Sequence, residues 1–197
     1  MPDSICTIST NYFALFNVYT VQGGAETVIT GSILATGALH GLTKAGSGTF
    51  SLQGTASTFA GNTLINDGTL AISSVGALNA SAASRVALGG GALSFLGTAG
   101  TGAGETWTNK SLDIAAANAY VLANQSGSAP SALVLANTWA SSTGAARTLN
   151  LGGNAPAAVV NQVTGLITNS ANLTNVLKYG TGTWELQAPP AASFGGA

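Results

Sequence analysis

Apolar residues recur along this chain in short apolar–x–apolar triplets: Phe50/Leu52, Leu70/Ile72, Val86/Leu88, Leu93/Phe95, Leu112/Ile114, Leu133/Leu135, Leu149/Leu151 and Trp184/Leu186. A period of two marks a strand with one buried face, because successive side chains point to opposite sides of a pleated backbone. Clusters of Gly, Asn, Ser or Ala-Ser flank the triplets and supply turns. A 3.6-residue period persists nowhere; its nearest rival, Ala115-Ala116-Ala117, is short and is interrupted by Asn118. The pattern predicts an all-β chain of many strands, each about three to five residues long, with few or no helices.

A longer repeat overlies the short one. Residues 28–53 and 162–187 align without a gap at a constant offset of 134 residues. The identical pairs are Thr30/Thr164, Gly31/Gly165, Ile33/Ile167, Leu39/Leu173, Lys44/Lys178, Gly46/Gly180, Gly48/Gly182, Thr49/Thr183, Leu52/Leu186 and Gln53/Gln187. With one residue inserted, Phe59-Ala60-Gly61 answers Phe194-Gly195-Gly196. The expected organisation is an N-terminal segment, 1–27, that is either a cap or a consequence of where the chain starts, followed by coils over 28–187. Within them the motif copies lie at 28–72 and 162–197, the second cut short at Ala197.

Composition chooses among all-β architectures. Sandwich hairpins usually carry dense Asn-Gly or Asp-Gly turns, and Asp67-Gly68 is the only such dipeptide here. Charged residues make up 6% of the chain (Lys+Arg 5, Asp+Glu 6), against roughly 25% in an average soluble protein. Stacked parallel coils, about 4.8 Å apart, explain that scarcity. Asn, Ser and Thr form uncharged ladders at this spacing, whereas like charges would repel. The 27 glycines penalise long helices and suit tight turns.

The same numbers exclude several functions. A net charge of −1 provides no field for nucleic acid or an anionic membrane. The lone Cys6 allows no intrachain disulfide and no Cys-rich metal site. No run of 18 apolar residues reads as a transmembrane helix. The N-terminal stretch has no Lys or Arg before Lys44 and carries Asp3, so it lacks the positive start of a signal peptide. Export is therefore expected to be directed by sequence upstream of Met1. No cofactor is expected.

Residues 42–72, LTKAGSGTFSLQGTASTFAGNTLINDGTLAI, resemble the autotransporter-associated β-strand repeat, also called the passenger-associated transport repeat. Its pattern runs Leu-Thr-Lys-x-Gly-x-Gly-Thr-Leu-x-Leu-x-Gly, a Tyr-Thr-Gly-like segment, then Gly-Thr-Leu. Leu42, Thr43, Lys44, Gly46, Gly48, Thr49, Leu52, Gly54, Gly61, Gly68, Thr69 and Leu70 fit, with Phe50 in place of Leu. The second copy matches through Lys178, Gly180, Gly182, Thr183, Trp184 and Leu186, and departs at Pro189-Pro190. The resemblance implies a right-handed parallel β-helix (a β-solenoid), here a fragment of a longer array, within a secreted or surface-displayed bacterial passenger. The residues agree with it. Gly46 and Gly48 permit a turn before the strand at Phe50, and Phe50 and Leu52 point inward. Asn66-Asp67-Gly68 turns the chain into Leu70–Ile72, one rung on. Lys44 caps turn carbonyls or lies along the coil surface.

Sites with chemistry are few. Gly97 to Gly104 mimics a phosphate loop but ends Gly104-Glu105-Thr106, without the Gly-Lys-Ser/Thr of a Walker loop and with no helix following. It reads as a loop between coils. His40 is the only histidine, so zinc has no ligand set and His40 reads as a turn residue. A β-helix polysaccharide lyase or hydrolase would need clustered carboxylates. Asp3, Glu26, Asp67, Glu105, Asp113 and Glu185 are isolated in sequence, and only if Asp67 and Asp113 shared one edge would neighbouring coils unite them. Trp184 aligns with the inward Phe50. Trp107 and Trp139, beside loops, are the candidates for glycan contact.

The expected function is a non-catalytic stalk or spacer whose partners are flanking coils of the same longer chain. An adhesin module gripping a surface glycan or protein is the alternative, and a lyase or hydrolase the weaker one. End-to-end self-association through uncapped terminal coils is a further expectation.

Overall fold

The computed structural model describes residues 6–8, 12–15, 19–21, 24–35, 41–78, 84–97, 104–108, 110–126, 130–137, 139–141, 146–165 and 173–187. In chain order the strands are β1 (Cys6–Ile8), β2 (Tyr12–Leu15), β3 (Tyr19–Val21), β4 (Thr27–Ile29), β5 (Ser32–Ala35), β6 (Leu42–Lys44) and β7 (Thr49–Leu52). Next come β8 (Thr63–Ile65), β9 (Thr69–Ile72), β10 (Arg85–Leu88), β11 (Ala92–Phe95), β12 (Glu105–Trp107), β13 (Ser111–Ile114) and β14 (Asn118–Ala123). The last are β15 (Leu133–Leu135), β16 (Trp139–Ser141), β17 (Arg147–Gly152), β18 (Val160–Val163), β19 (Leu173–Lys178) and β20 (Thr183–Leu186). One 3₁₀ turn, Val75–Leu78, is the only helical element among the described residues.

These strands stack into a parallel β-solenoid. The eight-stranded sheet runs β1-β4-β7-β9-β11-β14-β17-β19, the six-stranded sheet β16-β13-β10-β8-β6-β3, and the four-stranded sheet β12-β15-β18-β20, with β2-β5 as a separate pair. Every pairing is parallel. From β10 to β18 each rung visits the six-, eight- and four-stranded sheets in turn, as β10-β11-β12 and β13-β14-β15 do.

Register explains why the triplets exist. Phe50 lies opposite Leu70, Leu70 opposite Leu93, Leu93 opposite Val121 and Val121 opposite Leu151, a column that points inward and is buried throughout. Leu52, Ile72 and Phe95 form the next column. Each such side chain, once buried, contributes about 1.5–3 kcal/mol, and the ladder spreads that gain evenly over the coils. The rungs differ in length. Successive partners in the first column are separated by 20, 23, 28 and 30 residues. The rungs that begin with β7 and β9 cross the third face without a strand: Thr58 N–H donates to the Ile33 carbonyl of β5 (2.8 Å), and the 3₁₀ turn fills the rung above. The longer rungs add β12, β15 and β18.

The N-terminal segment contributes strands that continue the stack: β1 pairs with β4, β2 with β5 and β3 with β6. At the other end β19 and β20 are the last strands of their sheets. Leu177, Tyr179 and Leu186 are exposed there. No helix among the described residues is long and apolar enough to cross a membrane.

Candidate functional site

The repeat motif builds a corner. After β6, Gly46 adopts a positive φ of 80°, a conformation that side chains with a Cβ rarely take. Lys44 is buried beneath this turn, and its Nζ donates to the carbonyls of Gly46 (2.5 Å), Ala45 (3.2 Å) and, from the next rung, Asp67 (3.3 Å). Burial lowers the Lys44 pKa and the Asp67 carboxylate partly offsets the shift. The ammonium thus satisfies corner carbonyls that no strand ladder reaches. Gly68 sits on top with a φ of 61°, and Asp67 Oδ1 accepts from its N–H (2.7 Å). A Cβ on Gly68 would overlap the carbonyl oxygens of Gly46 and Gly48. Gly68→Ala is therefore expected to cost about 2–3 kcal/mol through left-handed strain and the clash, read as a drop in the urea midpoint. An unchanged midpoint would show that the corner opens freely.

The second copy repeats this geometry on another face. Gly180 has a φ of 74°, and Lys178 Nζ donates to the Gly180 carbonyl at 2.6 Å. The first copy, however, turns from the six- to the eight-stranded sheet (β6 to β7), and the second from the eight- to the four-stranded sheet (β19 to β20). The alignment at offset 134 therefore marks a type of corner and not a position around the coil. The other motif residues serve the same stack. Leu42, Leu52 and Leu70 are core, Thr49 pairs with Thr69, and the Gly61 carbonyl receives a hydrogen bond discussed below. Thr183 pairs with Val160, and Gly182 N–H donates to the Gly153 carbonyl (3.0 Å). Trp184 faces inward, half-buried, and its Nε1 donates to the Gly152 carbonyl (3.0 Å).

The glycan-contact expectation for Trp107 and Trp139 meets a correction. Trp107 is 4% exposed and Trp139 2%, because each occupies an inward position, opposite Leu135 and Leu112 respectively. Neither ring has a free face on which a sugar could stack. Beside loops in sequence, both are core in space.

The carboxylates are dispersed. Asp67 lies in the corner between β8 and β9, whereas Asp113 lies within β13, opposite Ala87, and pairs with Arg85 (2.9 Å). They do not share an edge. Glu105 Oε2 accepts from Ser74 Oγ (2.6 Å) and Val75 N–H (2.9 Å), pinning the start of the 3₁₀ turn. Glu105→Gln keeps one acceptor but loses the charge-assisted strength of both bonds. It is expected to cost roughly 1–2 kcal/mol and to speed amide exchange at Val75; unchanged exchange would leave the turn independent of Glu105. Glu185 accepts from Gln162 Nε2 (2.9 Å). No group of three or more His, Cys, Asp or Glu among the described residues can hold a metal ion. His40 and residues 98–103 of the glycine-rich loop lie outside the described residues.

Two buried polar centres escaped sequence reasoning. Lys110 is 1% exposed; its Nζ donates to the Gly61 carbonyl (2.9 Å) and sits 4.3 Å from the centre of the Phe59 ring. Burial pushes its pKa down to about 8. Asn161, fully buried on β18, accepts at Oδ1 from Gln125 Nε2 and Leu133 N–H (2.9 Å) and donates from Nδ2 to the Thr183 carbonyl (3.2 Å). Nothing local announces either residue, since their partners lie 22 to 51 residues away.

No curated protein and no solved structure matches the chain. Residues 42–72, which build the Lys44 corner and the rung stacked upon it, match the family model of the passenger-associated-transport-repeat.

Proposed function

We propose that this chain is a structural stalk or spacer segment of a secreted or surface-displayed autotransporter-type passenger, with no reaction of its own. The observation that carries the reading is the eight-stranded parallel sheet, in which each strand pairs only with the preceding and following rung. Such a stack gains length by adding coils, and its stability is distributed along the axis. The matched repeat supports the passenger reading. The non-catalytic reading is supported by the acids: Asp67, Glu105, Asp113 and Glu185 each hold a local contact and are not gathered around a cleft.

The proposed partners are flanking coils. Lys44 is covered by the next rung, and its equivalent Lys178 is exposed on the β19–β20 edge together with Leu186. One more parallel rung on that edge would cover them.

Fractionation of source cells, with an antibody raised against residues 42–187, tests the reading. The protein is expected in the envelope or the medium, and accessible to added protease on intact cells. A band confined to the cytoplasm would overturn both the passenger role and the location.

A further inference from the structure

The outer face of the eight-stranded sheet holds an aromatic platform near its β19 end. Outward positions on β14, β17 and β19 are Tyr120 and Leu122, Asn150 and Gly152, and Leu177, with Tyr179 following at the position opposite Gly152. The Tyr179 ring lies flat over Gly152: a Cβ there would sit directly against ring atoms Cζ, Cε1 and Cε2. One ring face is thus seated on backbone while the side chain remains 44% exposed, beside Leu177 at 53%. Tyr120 stands on the same face, opposite Asn150 and two strands from Leu177; burial first and Tyr120 second raise the Tyr179 pKa.

Uncharged polar groups border this platform. Asn124 Nδ2 donates to Ser94 Oγ (3.0 Å), Asn154 N–H donates to Asn124 Oδ1 (3.0 Å), and Thr181 Oγ1 lies 3.5 Å from Asn154 Oδ1. The line climbs one rung at each step and ends in exposed Asn154 and Thr181, next to the residue on which the tyrosine is seated. No charged side chain faces outward from this sheet among the described residues. Arg147 is buried, and Lys178 is turned to its own corner carbonyl.

We propose that this surface, centred on Tyr179 with Tyr120, Leu177, Asn154 and Thr181, binds an uncharged glycan chain. The fit is chemical. The C–H face of a sugar ring packs on a flat aromatic face, and its hydroxyls exchange hydrogen bonds with amides and hydroxyls at the border. No carboxylate faces outward from the described strands of this sheet, and the neighbouring cation, Lys178, is engaged with its corner carbonyl, so the face offers an ion little. A stable protein interface needs about 800 Å² per partner with a dry core; a few apolar side chains hemmed by exposed amides suit a narrower, wetter ligand. The platform goes beyond a spacer role, since a stalk needs none.

The test uses the full chain in isothermal titration calorimetry with four uncharged hexasaccharides: cellohexaose, mannohexaose, xylohexaose and chitin hexaose. Saturable binding of at least one is expected. Tyr179→Ser should weaken it by about tenfold or more. Gly152→Ala, which keeps the phenol but lifts the ring from its seat, should weaken it severalfold. Leu186→Ser, on a different sheet, should leave it unchanged. No binding across the four sugars, or full affinity in Tyr179→Ser, would overturn the proposal. So would sedimentation in which Tyr179→Ser abolishes self-association with sugars inert, which would make the face a contact between copies of the chain.

Discussion

Replacing Asn161 with alanine is expected to destabilise the solenoid by about 3–5 kcal/mol, more than any surface change. The carboxamide joins three successive coils through Gln125, Leu133 and Thr183. Without it, the Leu133 N–H and the Gln125 amide are left unsatisfied in a site that excludes water, each at a cost of roughly 1–3 kcal/mol. The Thr183 carbonyl belongs to an exposed residue, so water replaces its lost donor at little cost. The cavity left by the carboxamide adds a packing term. Urea denaturation followed by far-ultraviolet circular dichroism measures the loss. A change below about 1 kcal/mol would mean that water enters and that the coils are not coupled through this residue.

Lys110 predicts the other large effect, and it depends on pH. Its folded pKa is pushed down to about 8 by burial, below the 10.5 of a free lysine. The unfolded chain therefore binds more protons than the folded chain between those values, and stability rises with pH across the window. Below pH 8 the penalty of burying the ammonium is fully present; above 10.5 it is gone. The swing amounts to roughly 3 kcal/mol. Lys44 shifts in the same direction, so the comparison must be with a variant. Lys110→Met removes the titration, keeps the stem packed, and sacrifices the bond to the Gly61 carbonyl for about 1 kcal/mol. The variant is expected to be the more stable near pH 7, with the advantage shrinking and reversing toward pH 10.5. Parallel pH profiles in the two proteins would sink the assignment.

Much of the architecture could be read before any coordinates. Phe50/Leu52, Leu70/Ile72 and Leu93/Phe95 alternate because one side of each strand meets the core, and they stack in the expected columns. The strands that escaped did so for physical reasons. In β14 the inward residues are Ala119, Val121 and Ala123, while the outward ones include Tyr120 and Leu122, so apolarity on both faces erases the period. In β18 the inward position goes to Asn161, a polar residue accepted only because its bonds are all made inside. The glycan-contact expectation failed at Trp107 and Trp139 because nearness to a loop in sequence says nothing about which way a strand residue points.

Local chemistry alone therefore settled the short strands and the Lys–x–Gly turn, since each depends on neighbours within a few residues, and the uncharged composition pointed to the parallel stack. Which face of the coil a corner serves was decided only by the accumulated length of the rungs between the two copies, which are unequal. The same holds for Lys110 over Phe59, for Asn161 across three coils, and for the seat of Tyr179 on Gly152. Contacts one or more rungs apart join residues 20 to 51 positions distant. In a solenoid of uneven coils no fixed period reveals them, and only the folded stack brings them together.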